Sequence, residues 1–161
     1  MEQRSVLKGV PGILRPFREY IEGLGLSAGD QVVYCGVPGT CTPFVELLAF
    51  AIRSLPVQQV FVPGVDAARA RRLDLVPYLG MQGGDEPEDL HPSVIVIMGG
   101  LSMENSGVSH QDVTTFLDQF PTAMVAGVCF QQMFEKAGWC THVPFDLVID
   151  ATIDPVVVWS E

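Results

Sequence analysis

A chain of 161 residues with a net charge of −10 and only two lysines lacks the basic surface that follows a nucleic-acid backbone, so nucleic acid is not an expected partner. Its longest apolar runs, such as VIVIM at 94–98, are far shorter than the roughly 18 residues of a membrane span, and its N-terminus lacks the pattern of a signal peptide. Four cysteines without paired short spacings are expected to be reduced thiols in a cytoplasmic protein.

The chain begins with a helical pattern at 13–23, within a leading segment, 1–28, that is expected to pack on the domain. Short β-branched runs then alternate with helical patterns. Buried strands are predicted at 31–35, 59–62, 93–98, 123–129 and 145–150, and helices at 43–54, 109–119 and 130–137. Residues 67–79 fit either a helix or a short strand, 80–92 predict a surface loop, and 156–159 predict an edge strand. The alternation predicts one Rossmann-like three-layer α/β domain over residues 1–161, with a mostly parallel sheet of five to six strands and helices on both faces.

The direction of the strands sorts the polar loops between the two edges of the sheet. In a parallel sheet, ligands bind at the carboxyl ends of the strands, near the point where strand order reverses. The loops that follow strands place Cys35, Cys129 and His110 at this edge, whereas Cys140 and His142 precede a strand and are expected at the opposite edge. These two residues are therefore not expected to complete a zinc site, and no metal site is predicted.

A first glycine loop lies in the stretch YCGVPGTCTPFVELLAF, residues 34–50. Gly36 and Gly39 would allow a ligand close to the backbone, and Thr42 is predicted to cap the next helix, with Pro43 in its first turn. Free amides at such a helix start suit a phosphate or carboxylate. The loop has neither the lysine of a P-loop nor the spacing of the dinucleotide fingerprint. A tight turn that needs glycine for its own geometry explains the same residues equally well.

A second glycine loop, MGGLSMENSGVSH at 98–110, is longer than most strand-to-helix connections. Ser109 and Asp112 have a spacing close to that of a capping box, which puts His110 in the first helical turn. If strand order is 3-2-1-4, the two glycine loops face each other across a cleft. This cleft is predicted to bind a small anionic metabolite or nucleotide through Gly36, Gly39, Thr40, Cys41, Thr42, Gly99, Gly100, Ser102, Asn105 and Ser106.

Three cysteines offer an alternative function, a thiol-dependent redox or metal-binding protein. Cys41 and Cys129 are each expected just before a helix start, a position that lowers a thiol pKa, and Cys35 and His110 belong to the same edge. Against this, most free cysteines are small buried apolar residues. A third alternative is an assembly subunit with empty clefts. The sequence identifies neither a cofactor nor a reaction, so it leaves open whether the protein is an enzyme or a sensor.

The composition also predicts self-association. Hydrophobic residues make up 48% of the chain and charged residues 17%, which leaves little polar material to cover the whole surface. A homo-oligomer is expected, most simply a dimer, with the apolar residues 156–159 in its interface.

Two stretches, CGVPGTCTPFVELLAF and VIVIMGGLSMENSGV, resemble an uncharacterised family of small archaeal proteins, a domain of unknown function found mainly in methane-producing archaea. The likeness covers most of the chain. It implies a cytoplasmic archaeal protein with a Rossmann-like sandwich, and it carries no activity, cofactor or catalytic residue.

Overall fold

The computed structural model describes residues 1–3 and 5–161. In chain order the helices and strands are α1 (Pro11–Gly23), β1 (Gln31–Gly36), α2 (Thr42–Ala51), β2 (Gln58–Pro63), β3 (Arg71–Val76), β4 (Gly80–Gly83), β5 (Val94–Met98), α3 (His110–Leu117), β6 (Met124–Phe130), α4 (Met133–Lys136) and β7 (Leu147–Ala151). Single 3-10 turns occur at Ala67–Arg69, Gly99–Ser102, Glu104–Ser106 and Trp139–Thr141. Among the described residues, none of the helices combines the length and apolar character that a membrane crossing requires.

All the strands join one sheet in the order β4-β3-β2-β1-β5-β6-β7. The five strands from β2 to β7 in this order are parallel, whereas β3 runs antiparallel to β2 and forms a hairpin with β4. The predicted α/β class with a mostly parallel sheet is confirmed, but the sheet has seven strands rather than five or six. Because β2 lies on one side of β1 and β5 on the other, strand order reverses between β1 and β5.

Two helices cover each face of the sheet. Along β1, Val32 and Tyr34 enter one apolar cluster, while Val33 and Cys35 enter the other, as the alternation of a strand requires. α1 and α2 complete the first cluster, and α3 and α4 the second. Both faces of β1 and β5 are buried along their whole length, which explains their continuous apolar sequences. The sheet itself is therefore accessible at its edges and at the loops that connect its strands to the helices.

The sheet departs from the sequence-based prediction at both edges. Residues 67–79 contain a 3-10 turn and then β3, and the first residues of the predicted loop at 80–92 form β4. The sequence GMQG of β4 has no strand-like alternation, and its pairing with β3, including Leu75 with Met81, makes it a strand. The predicted strand at 156–159 is wrong, since the last described strand ends at Ala151. Beyond it the chain pairs with no strand among the described residues, and a strand needs such a neighbour to satisfy its amides.

Candidate functional site

The two glycine loops emerge side by side at the carboxyl edge of the sheet. They follow β1 and β5, which pair with each other, including Cys35 with Ile97. The first loop, residues 37–41, leads to α2, and the second, residues 99–109, leads through two 3-10 turns to α3. The structure therefore brings the sequence-predicted residues of both loops to one place, at the reversal of strand order.

The expected cleft between these loops is filled by side chains of the chain itself. Cys41, which is 3% exposed, lies between them. A Cβ added to Gly36 would lie 2.8 Å from the Cβ of Cys41, and one added to Gly100 would lie 2.5 Å from its Sγ. A Cβ on Gly99 would overlap Cys129 in the same way. Gly36 and Gly100 therefore serve the close packing of the two loops around Cys41, and Gly99 serves the packing of the second loop against the end of β6.

The polar residues of the second loop are also engaged in the fold. The hydroxyl of Ser102 donates to the carbonyl of Gly99 at 2.8 Å, and that of Ser106 donates to the carbonyl of Leu101 at 2.6 Å. Ser106 also accepts the amide of Val108 at 3.0 Å. These bonds tie the 3-10 turns together and bury Leu101 completely. The second loop is long because it covers the ends of the strands. Asn105, the remaining polar residue predicted in this loop, is exposed to solvent.

The start of α2 differs from the prediction. Cys41 occupies the N-cap position without a side-chain hydrogen bond, whereas Thr42 is the first helical residue and accepts the amide of Gly39 at 3.1 Å. The amide of Cys41 donates to the carbonyl of Val37 at 2.8 Å. In the part of the chain that the structure describes, the amides of Thr40 and Thr42 have no acceptor. No acidic residue lies in the first turn. The helix start therefore presents two free amides.

The three thiols of the alternative site are buried. Burial raises the pKa of Cys41, and it holds the pKa of Cys35 far above the ordinary value of a thiol. For Cys129, burial and the nearby carboxylate of Asp150 raise the pKa to about 12. The predicted lowering at helix starts is wrong for both residues: at Cys41, the N-cap of α2, desolvation of the thiolate outweighs the helix dipole, and Cys129 lies inside β6, before the start of α4. Cys140 is the exposed cysteine.

The placement of His142 at the opposite edge is wrong. Its ring lies against that of His110, with a distance of 4.2 Å between ring centroids. The cause is the shortness of α4, which has four residues and ends before the chain has descended along the sheet. The turn Trp139–Thr141 therefore stays beside the start of α3. Nothing in the local sequence pattern indicates this contact.

Within residues 1–3 and 5–161, no three histidine, cysteine or carboxylate side chains converge on a point that would hold a metal ion. An open depression of about 410 Å³ lies between residues 67–70 and 86–90, outside the predicted site. Its polar side chains are the acids Glu86, Glu88 and Asp89, so it does not suit an anion.

Comparisons with known proteins agree with the sequence resemblance. Residues 8–154 match the family described as uncharacterised proteins conserved in archaea, DUF2124. An uncharacterised protein of Methanothermobacter thermautotrophicus is 33% identical over 160 residues, covering 98% of this chain and 99% of the relative. One from Methanocaldococcus jannaschii is 32% identical over 145 residues, covering 90% and 86%. A crystal structure of a protein of unknown function from M. thermautotrophicus superposes with a TM-score of 0.87 and 33% identity over 99% of each chain. The chain therefore belongs to the archaeal DUF2124 family.

Proposed function

We propose that this protein binds a small anion, a phosphate or carboxylate group of a metabolite, at the start of α2. The observation that carries the proposal is the pair of free amides of Thr40 and Thr42 at the end of a helix of 10 residues that has no side-chain cap. The dipole of the helix adds a partial positive charge at this end, and no acid in the first turn offsets it. The site lies on the surface of the carboxyl edge, beside the packed glycine loops.

The position in the sheet supports the same proposal. The helix starts beside β1, at the reversal of strand order, and we infer that the domain is Rossmann-like, the class in which ligands bind at this point. Gly39, at φ +80°, has no neighbouring atom within 4 Å of an added Cβ, so the backbone before Thr40 is open to a ligand. Two charge-assisted hydrogen bonds of about 2 kcal/mol each correspond to a dissociation constant of about 1 mM for the anionic group alone.

An NMR titration of the ¹⁵N-labelled protein with inorganic phosphate tests the proposal. The amide signals of Thr40 and Thr42 are expected to shift and saturate, whereas sodium chloride at equal ionic strength leaves them in place. Thr40→Asp puts a carboxylate beside the site and is expected to weaken binding at least tenfold. Thr122→Asp, the same change in an exposed turn before β6, serves as the control. Shifts that do not saturate by about 50 mM phosphate would refute a site of this strength.

The thiol alternative receives no support from the site, because the three thiols concerned are buried and their pKa values are raised. The proposal is one of binding, and it assigns no reaction.

We also propose that the protein is cytoplasmic, because its four cysteines are free thiols, which a reducing compartment favours. Fractionation of cells of the source organism checks this location.

We further infer that two copies associate through the tail that follows β7. Val156, Val157, Val158 and Trp159 are 72%, 61%, 85% and 90% exposed, and burial of such apolar surface stabilises by about 25 cal/mol per Å². Size-exclusion chromatography with light scattering at about 0.15 M salt is expected to give about twice 17.5 kDa. Trp159→Asp should halve this mass, and Val6→Asp, at another exposed apolar residue, should not. A wild-type mass of one chain would contradict the inference.

A further inference from the structure

Two histidines from separate elements meet on the face covered by α3 and α4. His110 is the first residue of α3, and His142 follows the turn Trp139–Thr141. Their ring centroids are 4.2 Å apart, and the ring planes are tilted by 31°. The chain contains three histidines, so this contact pairs two of the three.

The hydrogen bonds of His142 determine which of its nitrogens is free. Its Nδ1 lies 2.8 Å from the carbonyl oxygen of Gly138 and 3.0 Å from the hydroxyl oxygen of Thr141, and that hydroxyl donates to the same carbonyl oxygen at 2.9 Å. Because a carbonyl oxygen only accepts, Nδ1 carries the proton and Nε2 of the neutral ring holds a lone pair. A ring nitrogen fixed by a backbone carbonyl is the usual support of a metal-binding histidine.

The imidazole of His110 is also able to bind a ligand. The ring of His110 is half-buried against that of His142, and no hydrogen bond to its nitrogens is found in the described part of the chain. Its backbone is held by the capping box, in which the amide of Ser109 donates to the carboxylate of Asp112 at 2.8 Å and the amide of Asp112 donates back to Ser109 at 3.2 Å. Hydrogen bonds therefore hold both histidines in place, and within the described chain each imidazole has a nitrogen without a hydrogen-bond partner.

The spacing of the rings fits two neighbouring positions around one ion. A ring nitrogen binds at about 2.1 Å, and the ring centre lies about 1.2 Å behind it, so two imidazoles have centres about 4.7 Å apart at a right angle and about 5.4 Å apart at the tetrahedral angle of Zn²⁺. The observed 4.2 Å with a tilt of 31° is a tilted stacking contact, so binding requires the imidazole of His110 to rotate about its side-chain bonds until a nitrogen faces the same point as Nε2 of His142. We propose that His110 and His142 form a binding site for one divalent transition-metal ion, of the Zn²⁺, Ni²⁺ or Cu²⁺ class that imidazole ligands suit.

The described chain brings no third histidine, cysteine or carboxylate to the pair, so water completes the coordination. The site is therefore an open one of moderate affinity, with an expected dissociation constant of about 10 µM. This proposal does not rest on the anion site at α2, since it uses no residue of that helix.

Calorimetric titration with NiCl₂ and ZnCl₂ tests the proposal, with Cys140→Ser as the parent protein so that the exposed thiol does not bind the metal. One equivalent of metal is expected to bind. His110→Ala and His142→Ala should each weaken binding at least tenfold. His91→Ala is the matched control, because the ring of His91 bonds to Asp89 at 3.1 Å and to the carbonyl of Gly29 at 2.9 Å.

A second measurement avoids any effect of the substitutions on folding. Substoichiometric Cu²⁺ added to the ¹⁵N-labelled parent should broaden the amide signals of residues 109–113 and 138–143 first. Broadening centred on residues 89–91 would overturn the proposal, as would the absence of binding at about 1 mM metal. Equal affinities in the parent and in both pair variants would overturn it as well.

Discussion

Substitution of Gly100 by alanine tests whether the glycine loops exist for packing or for a ligand. The backbone of Gly100 permits alanine, because its φ lies outside the left-handed region. The added Cβ would, however, lie 2.5 Å from the Sγ of Cys41, while its next contact, with Val37 at 3.7 Å, is an ordinary one. The clash is therefore with one atom of one buried residue.

The expected magnitude follows from that single contact. Carbon atoms pack at about 3.5 to 4.0 Å, so the Cβ and the sulfur are about 1 Å too close. Overpacking of this kind costs about 2 kcal/mol of the free energy of unfolding. For a chain of this length, the midpoint of thermal unfolding should fall by about 4 to 8 °C. If Gly100 instead served the approach of a ligand, alanine would leave unfolding unchanged.

A double-mutant cycle isolates the contact. Cys41→Ala removes the sulfur and leaves a small void, at a cost of about 1 kcal/mol. In the combined variant the new methyl group fills that void, so the total loss should stay near 1 kcal/mol instead of the additive 3 kcal/mol, a coupling of about 2 kcal/mol. Unfolding in urea, followed by circular dichroism, measures all four proteins.

Two results would refute this reasoning: a Gly100→Ala variant as stable as the wild type, or additive losses in the cycle. Gly23→Ala is the matched control, because a Cβ there meets no atom within 4 Å and α1 holds the residue in a helix. Alanine at this position is expected to stabilise the protein by up to about 1 kcal/mol.

Two further predictions concern single side chains. Iodoacetamide at neutral pH should modify only Cys140 in the folded protein, and mass spectrometry that finds label on a buried cysteine would contradict the observed burial. Hydrogen bonds from the hydroxyl and amide of Ser109 lower the pKa of Asp112. The ionised carboxylate therefore stabilises the folded protein above the unfolded pKa of about 3.9, and this stabilisation is lost as pH falls through the lower folded pKa. Asp112→Asn should therefore lower the thermal midpoint most near pH 7 and least near pH 2. A difference from the wild type that does not depend on pH would disprove this linkage.

The sequence by itself determined the class of the fold. The continuous apolar runs around Val33 and Ile95 predicted strands buried on both faces, and β1 and β5 are such strands. The spacing of Ser109 and Asp112 predicted a capping box, which is present at the start of α3. Each of these features depends on neighbouring residues, whose burial and hydrogen bonds leave a pattern in the local sequence.

The tertiary structure decided the features that depend on distant contacts. The sequence predicted that Gly100 binds a ligand, and only the position of Cys41 shows that packing accounts for this glycine. Likewise β4 is a strand because β3 lies beside it, and residues 156–159 form no strand because none of the described strands pairs with them. His142 meets His110 because α4 ends after one turn, which keeps the turn Trp139–Thr141 beside the start of α3. A local pattern encodes whether a residue is buried, whereas the partner it meets depends on the path of the whole chain.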